Sequence, residues 1–260
     1  MSRIRCVRRE TFLLLGAGVC VMVLTGCAVL GPKEEVDPPL PRMTAVYTSE
    51  PVKIDGNLDD PAWQTARVYP LCISQDKVEL EKVLAEPGEA RVAWDDKYLY
   101  VGVRFHDSDI AAEGEEDQLH HYKMGDLVEL FLKPENSTWY WELYATPRGK
   151  RTSFWFPGRG RLGLESGFQY SCGLRVAARC EGTLNNWKDR DTACTAEMAM
   201  PLTDLTAHGD RFCPGAEWRI LVSRYNYSRY LPWKELSMTP QLSRSSYHLY
   251  EEYAVLELVR

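Results

Sequence analysis

The sequence has almost no helical periodicity, no internal repeat, no low-complexity tract and no glycine-rich phosphate loop. These absences argue against a helical bundle, a coiled coil, a repeat array and a nucleotide site of the P-loop type. The longest apolar run, at residues 12–24, is too short to span a bilayer comfortably. The sequence beyond residue 43 contains no second linker and is long enough for one large domain with a substantial core.

Positive charge is outnumbered by negative charge. The chain has 31 lysines and arginines against 37 aspartates and glutamates, which gives a net charge of −6. Residues 1–26 carry four arginines and one glutamate, a net charge of +3, so the chain after them is near −9. This excess of negative charge argues against nucleic acid and anionic lipid as ligands, because both would repel it.

The N-terminal segment has the features of an export signal. Four arginines precede the apolar run, which ends in Leu-Thr-Gly-Cys27. This pattern resembles a bacterial lipoprotein signal, and the resemblance implies cleavage before Cys27 and acylation of that cysteine. A plain signal anchor is an alternative, and the paired arginines at positions 8 and 9 leave twin-arginine export open.

The segment after Cys27 predicts a tether. Residues 28–43 are acidic and rich in proline, a composition suited to holding a folded body away from a membrane. Ala28 stands where an aspartate would be expected for inner-membrane retention, so analogy with Gram-negative sorting favours the outer membrane. We therefore predict a leader at 1–26, an acylated cysteine with its tether at 27–43, and one folded domain at 44–260.

The cysteines suggest one disulfide and no zinc site. Of the eight, two leave with the leader and Cys27 is modified, so five remain, an odd number. Their spacing matches no zinc motif. Cys180 and Cys194 flank a predicted hairpin loop at residues 181–192 and are candidates for a disulfide, so at least one thiol stays free or pairs elsewhere.

Short alternating segments predict an all-β domain. Residues 90–106 form a predicted hairpin with one buried face, and a third strand follows at residues 125–133. Ten or more such segments occur, separated by turn residues and with only a few short helical turns among them. This pattern predicts a β-sandwich or a flattened barrel.

The third strand carries a carboxylate in its middle. The aliphatic residues at 128, 130 and 132 share one face, so Glu129 points the other way with Leu127 and Phe131. Burying a lone carboxylate costs several kcal/mol. We therefore expect Glu129 to meet water, a cation or a hydrogen-bonding ligand.

Five motifs, taken in order, resemble carbohydrate-binding module family 9 and its wider DOMON-like superfamily. They cover residues 45–260, and their order and spacing are more specific than any one of them. The motifs are Val52-x-Ile54-Asp55-Gly56-x-Leu58-Asp59-x-x-Ala62-Trp63, Val92-x-Trp94-Asp95-x-x-Tyr98-Leu99-Tyr100-Val101, Asp126-x-Val128-Glu129-Leu130-Phe131, Tyr140-Trp141-Glu142-Leu143, and Thr195-Ala196-Glu197-Met198-Ala199-Met200-Pro201-Leu202.

The resemblance implies a fold, a class of ligand and a set of residues. The fold would be a jelly-roll or immunoglobulin-like sandwich of two mostly antiparallel sheets, with a non-catalytic sugar site on one concave face. In this family two aromatic rings clamp a terminal sugar while polar side chains bond its hydroxyl groups. Glu129 and Glu142 fall on the polar positions and Tyr247 on the second clamp. The first clamp is expected to be a tryptophan, and Tyr122 takes that place if the loop shifts by one residue.

The sugar-binding hypothesis includes two further polar residues, and the two glutamates also have alternative roles. Arg224 and Asn226 are expected to add hydrogen bonds to the ligand. Glu129 and Glu142 have two alternative roles, a catalytic carboxylate pair and structural ion pairs. The arginines considered for such ion pairs are Arg104, Arg219 and Arg224.

Two loops suggest other ligands. The acidic loop at residues 113–121 has carboxylates that can hold a structural calcium ion, although its spacing matches no calcium motif. With His120, His121 and Met124, the same region raises the alternative of a haem-binding electron-transfer domain, since some DOMON-like relatives bind haem through Met and His.

A basic cluster is suited to acidic or sulfated sugars; its members are Arg148, Lys150, Arg151, Arg159 and Arg161. A third alternative is a structural lipoprotein whose sheet contacts other envelope proteins.

Overall fold

The computed structural model describes residues 39–159, 167–168 and 172–260, and Pro39–Arg260 form one compact unit. The predicted leader, Cys27 and most of the tether lie outside the described residues. The described residues of this unit form twelve strands, and the first begins two residues before the predicted domain start. They are β1 Arg42–Tyr47, β2 Tyr69–Pro70, β3 Gly88–Trp94, β4 Tyr98–His106, β5 Leu127–Pro134, β6 Tyr140–Ala145, β7 Arg151–Phe156, β8 Arg175–Glu181, β9 Ala193–Pro201, β10 Trp218–Asn226, β11 Glu235–Thr239 and β12 Ala254–Val259.

The helices of the described residues are short, as the sequence predicted. The α-helices are α1 Pro61–Thr65, α2 Gln75–Glu79 and α3 Leu202–Leu205, and 3-10 turns occupy His121–Lys123 and Tyr250–Glu252. Helix α1 starts where Pro61 follows an extended Asp60, the position at which proline costs no helical hydrogen bond. Within the described part of the chain, no helix has the length and apolar character of a membrane span.

The all-β prediction is confirmed, with mostly antiparallel pairing. The strands follow the hydrogen-bonded order β7-β6-β5-β10-β12-β1-β3-β4-β9-β8, while β11 pairs with β10 and β2 with β3. Among the described strands, both parallel pairings involve β1: residues 42–46 pair with β12, and residues 46–47 with β3. Because β1 bonds to both halves of this path, a division into two separate sheets stays a prediction.

The central strands separate two clusters of side chains by their alternation. Val128, Leu130 and Leu132 of β5 join the large aliphatic core, as the sequence predicted. Leu127 and Phe131 join a second, mainly aromatic cluster on the other face. Fully burying one such aliphatic side chain stabilises the fold by roughly 1.5–3 kcal/mol. The aliphatic face therefore holds these strands together, and side chains on the other face can form a binding site.

Glu197 of β9 explains two of the sequence motifs. Its buried carboxylate accepts hydrogen bonds from the Asp55 and Gly56 main-chain N–H groups, at 2.9 and 2.7 Å, and from the Trp63 indole at 2.8 Å. Gly56 has φ +88°, and a Cβ there would meet the Ala178 carbonyl carbon at 2.7 Å. The motif therefore fastens the loop before α1 to β9.

The cysteines that the sequence analysis singled out lie opposite one another. Cys180 and Cys194 are register partners in the β8–β9 ladder, with Cα atoms 4.1 Å apart and their sulfurs joined in a disulfide. Of the described cysteines, Cys72, Cys172 and Cys213 are free thiols. The disulfide joins two strands that are far from β5 and β6 in the strand order.

Candidate functional site

An open pocket of about 430 Å³ lies on the second face of the sheet. This volume is within the range of about 300–1,000 Å³ found for small-molecule sites. Strand register builds its floor: Glu129 of β5 pairs with Tyr144 of β6 and Ser223 of β10. Glu142 of β6 pairs with Phe131 of β5, and across the next ladder with Phe154 of β7. Paired residues share a face, so four strands contribute to one surface.

Aromatic rings surround this floor in a closed circuit. Neighbouring rings have centroids 5.6–6.3 Å apart, within the range in which aromatic side chains attract one another. Every ring of the circuit lines the pocket. In order, the ring circuit is His120, Phe154, Phe156, His248, Phe131, Tyr247, Tyr225 and Tyr122, which contacts His120 again.

The two glutamates are the acidic groups of the floor. Glu129 is 2% exposed and Glu142 is 5% exposed. The Ser223 hydroxyl donates to Glu129 at 2.9 Å, and the Tyr144 hydroxyl donates to Glu142. These donors hold both carboxyl groups in place, yet they leave oxygen atoms able to accept further hydrogen bonds.

Burial controls the protonation of this pair. Burial, together with the nearby charge of Glu142, raises the pKa of Glu129 well above its usual value. Burial also raises the pKa of Glu142 to about 7, although the hydrogen bond from Tyr144 opposes the shift. The pair therefore retains protons at a pH where exposed carboxyl groups are ionised.

The two histidines of the ring circuit are neutral at pH 7. Burial and the charge of Arg159 lower the pKa of His248 to about 4. Burial and Lys123 also lower the pKa of His120. The His248 Nε2 lies 3.9 Å from a Glu142 oxygen. Because His248 is neutral at pH 7, this contact is polar rather than ionic.

Four residues chosen from the sequence meet in this pocket: Glu129, Glu142, Tyr122 and Tyr247. Tyr247 also has a structural role. It is buried, and its hydroxyl lies 3.0 and 3.1 Å from the carbonyl oxygens of Arg224 and Ser237. Tyr122 is half-buried, so its ring has more surface to offer a ligand.

Arg224 and Asn226, the other two sequence-predicted contacts, do not line the pocket. Both alternate with Tyr225 on β10 and therefore point to the opposite face. Arg224 is fully buried, with Nη2 3.0 Å from an Asp107 oxygen. Asn226 donates to Glu86 at 2.6 Å. The structure gives both residues buried protein partners instead of access to the pocket.

The arginines considered for ion pairs with Glu129 and Glu142 bond elsewhere. Arg104 pairs with Glu181, Arg219 with Glu135 and Arg224 with Asp107. The described structure therefore does not lock the glutamate pair onto these arginines.

Sequence reasoning missed three of the eight members of the ring circuit, Phe154, Phe156 and His248. Phe154 and Phe156 alternate on β7, and this period-two pattern could have placed them on one face. It could not show that β7 pairs with β6 beside Glu142, because that pairing follows from tertiary structure. His248 gave no signal beyond lying next to Tyr247.

The described residues do not form a site with the arrangement of ligands that a metal ion or haem requires. No three or more His, Cys, Asp or Glu side chains among them converge as metal ligands, so calcium stays a prediction. Both ring nitrogens of His121 have partners, the Thr152 hydroxyl at 2.7 Å and the Glu116 carbonyl at 3.1 Å. His121 is therefore not available as a haem ligand in this arrangement.

Comparison with known proteins identifies the family. The sequence profile described as carbohydrate family 9 binding domain-like matches residues 54–212, more than half of the chain. The chain belongs to this family. The family consists of non-catalytic carbohydrate-binding modules, so this carbohydrate family 9 binding domain is not an enzyme.

Solved structures share the fold at low sequence identity. One is a candidate carbohydrate-binding protein from Bacteroides uniformis ATCC 8492, 11% identical, with a TM-score of 0.66, over 85% of this chain and 100% of that one. A family 9 module from Caldicellulosiruptor kristjanssonii is similar both in complex with glucose (13%, TM-score 0.53, 84% and 95% covered) and with cellotriose (14%, 0.50, 84% and 93%). No curated protein sequence matches the chain.

Proposed function

We propose that this domain binds the terminal residue of a glycan in the pocket bounded by the ring circuit. The observation that carries the proposal is a closed set of aromatic rings around a buried carboxyl pair, in a chain of a carbohydrate-binding family. A pyranose has an apolar C–H face and a polar rim, and this pocket offers rings for the one and carboxyl oxygens for the other.

Each part of the site has a role in this proposal. The rings of Tyr122 and Phe154 stack on the sugar faces. Unlike the Tyr247 side chain, neither is held by a hydrogen bond to the main chain. Glu129 and Glu142 accept hydrogen bonds from neighbouring hydroxyl groups. Tyr247 supports the wall of the pocket through its buried hydroxyl. No bond forms or breaks, so affinity depends on burial and hydrogen bonding alone.

The proposal extends to the place of the protein in the cell. The Leu-Thr-Gly-Cys27 sequence and the proline-rich segment after it support a lipid anchor and a tether, and Ala28 favours the outer membrane. Contacts with other envelope proteins, the wider DOMON-like relationship and a division of the strands into two facing sheets belong to the same proposal.

Binding can be measured with sugars seen in the related complexes. We expect glucose or cellotriose to bind the domain in isothermal titration calorimetry. Tyr122→Ala should weaken binding by up to about tenfold, since one aromatic contact contributes about 0.5–1.5 kcal/mol. Tyr230→Ala is the matched control, because Tyr230 is partly exposed and lines a different pocket. Folded Tyr122→Ala protein with unchanged affinity would contradict the site.

A further inference from the structure

The floor of the pocket is acidic, and no lysine or arginine is among the described residues that line it, although the nearby charge of Lys234 lowers the pKa of Glu129 against the larger effect of burial. Of the described residues that line it, Glu129 and Glu142 are acids, and the two histidines are neutral at pH 7. Two lysines lie close by without lining the pocket. The Lys123 ammonium is 5.2 Å from the ring centre of Tyr122, and the Lys234 ammonium is 4.9 Å from that of Tyr225.

The two carboxyl groups are placed to contact one ligand group together. In the β5–β6 ladder Glu129 pairs with Tyr144 and Phe131 pairs with Glu142, so the two glutamates are diagonal neighbours on one face. Cβ atoms of such neighbours are roughly 7 Å apart. A small ligand group can therefore contact carboxyl oxygens of both side chains at the same time.

The nearby arginines do not make the pocket suitable for acidic sugars. Arg151 pairs with Asp117 at 3.2 Å and Arg159 with Glu251 at 2.6 Å. Arg148 donates to the Ala112 carbonyl at 2.8 Å. The sequence hypothesis of an acidic or sulfated ligand thus receives no free arginine from these three positions, and no lysine or arginine is among the described residues that line the pocket.

An ammonium group complements both features of the site. It forms charge-assisted hydrogen bonds to carboxylates, which are stronger than hydrogen bonds between neutral groups. Aromatic rings attract cations through their π faces, and cages of such rings are known to bind ammonium ligands. A neutral hydroxyl gains only ordinary hydrogen bonds, whereas an ammonium group between the two carboxyl groups also favours their ionised form.

We propose that the preferred ligand is an amino sugar, a hexose whose free ammonium group sits between Glu129 and Glu142. This inference rests on the proposed function, because it assigns a sugar class to the same pocket. Neutral hexoses bind more weakly at this site, and uronates are rejected.

Four sugars of similar size test the assignment by calorimetry at pH 7: glucosamine, N-acetylglucosamine, glucose and glucuronate. We expect glucosamine to bind about tenfold or more tightly than N-acetylglucosamine or glucose, with glucuronate the weakest. Glucose binding as tightly as glucosamine would overturn the amino-sugar inference and leave the proposed function standing. If none of the four sugars, nor cellotriose, is bound by folded protein, both fail.

Charge-neutral variants separate this electrostatic effect from shape. The double variant Glu129→Gln, Glu142→Gln keeps the size of both side chains and should lower glucosamine affinity to that of glucose. Glu113→Gln is the matched control, because Glu113 is exposed and lines another pocket; it should retain the preference for glucosamine. A preference that survives in the folded double variant would overturn the inference, and circular dichroism verifies folding of each variant.

Discussion

At the scale of single residues, Glu129 and Glu142 work against the stability of the empty domain. Both are buried on a sheet face whose other large residues are mainly aromatic. Replacing them by neutral residues of similar volume would remove the cost of burying charge. Binding sites often carry groups that stability alone would not favour, and the acidic floor is such a feature.

The pKa of Glu142 makes this cost depend on pH. Its pKa rises from 4.5 to about 7 on folding, so between these values the folded protein holds a proton that the unfolded chain has lost. The free energy of unfolding should therefore fall as pH rises through this interval and level off above it. Each unit of pKa difference is worth about 1.4 kcal/mol, so we expect a loss of roughly 3 kcal/mol.

Urea denaturation of Glu142→Gln between pH 4.5 and 8 measures this effect. The variant should lose less stability over the interval than the wild-type protein and be the more stable of the two at pH 8. Glu113→Gln should follow the wild-type curve. Parallel curves for wild type and Glu142→Gln would show that Glu142 does not titrate in this way.

Tyr247 has to be tested through its hydroxyl rather than by removing its ring. Tyr247→Ala would be the direct test of the second clamp that the sequence resemblance assigns to Tyr247. The burial of this ring makes that variant unsuitable, because removing a buried aromatic ring costs about 3–5 kcal/mol. Tyr247→Phe keeps the ring and removes a donor to two carbonyl groups, with an expected cost of about 1–3 kcal/mol.

Sugar affinity should be unchanged in Tyr247→Phe, since the proposed role of this hydroxyl is structural. Thermal denaturation and calorimetry on the same sample separate stability from binding. Lost binding at unchanged stability would instead assign the Tyr247 hydroxyl to the ligand.

At the scale of elements, strand alternation could be predicted from the sequence and strand pairing could not. The period-two pattern in β5 correctly separated Val128, Leu130 and Leu132 from the face that holds Glu129. For β10, the sequence hypothesis expected Arg224 and Asn226 to bond the ligand without testing their parity against Tyr225. Alternation within β10 places those two on the face opposite Tyr225, which lines the pocket.

The shortest elements were also beyond sequence reasoning. Helix α2 and strand β11 have no distinct pattern in the sequence. The apolar residues 71–73 form an isolated bridge between Cys72 and Met238 instead of a longer strand. Such elements depend on the neighbours to which they bond, and the local pattern of five residues carries too little information to identify them.

The contact between β9 and the loop before α1 yields a prediction about the fold. Glu197→Ala leaves two main-chain N–H groups and the Trp63 indole without their acceptor. We expect a loss of about 3 kcal/mol or more, because buried donors without partners are costly. Glu197→Gln keeps one acceptor oxygen and should be intermediate.

Chemical denaturation with calorimetry on the same variants tests this role. Sugar affinity should not change in either folded variant, because Glu197 does not line the pocket. A loss of affinity larger than the loss of folded protein would mean that Glu197 acts on the site.

At the scale of the whole molecule, the site is assembled from distant parts of one chain. The ring circuit draws on the loop that contains His120, on β5, β7 and β10, and on the segment before β12 that contains His248. None of these parts is a site alone, and β10 bonds directly to β5, β11 and β12. The pocket should therefore form only when the compact unit from Pro39 to Arg260 has folded.

The tether prediction concerns the chain outside this unit. If Cys27 is acylated, wild-type protein expressed in a Gram-negative host should sediment with membranes and incorporate a clickable palmitate analogue. Cys27→Ser removes the acceptor thiol, so label incorporation should be lost and the protein should leave the outer-membrane fraction. A fragment of residues 39–260, which omits the leader and most of the tether, should bind sugar as the full chain does. Label incorporated by Cys27→Ser would place the lipid on another residue, and unlabelled wild-type protein in the soluble fraction would show that the segment is no lipoprotein signal.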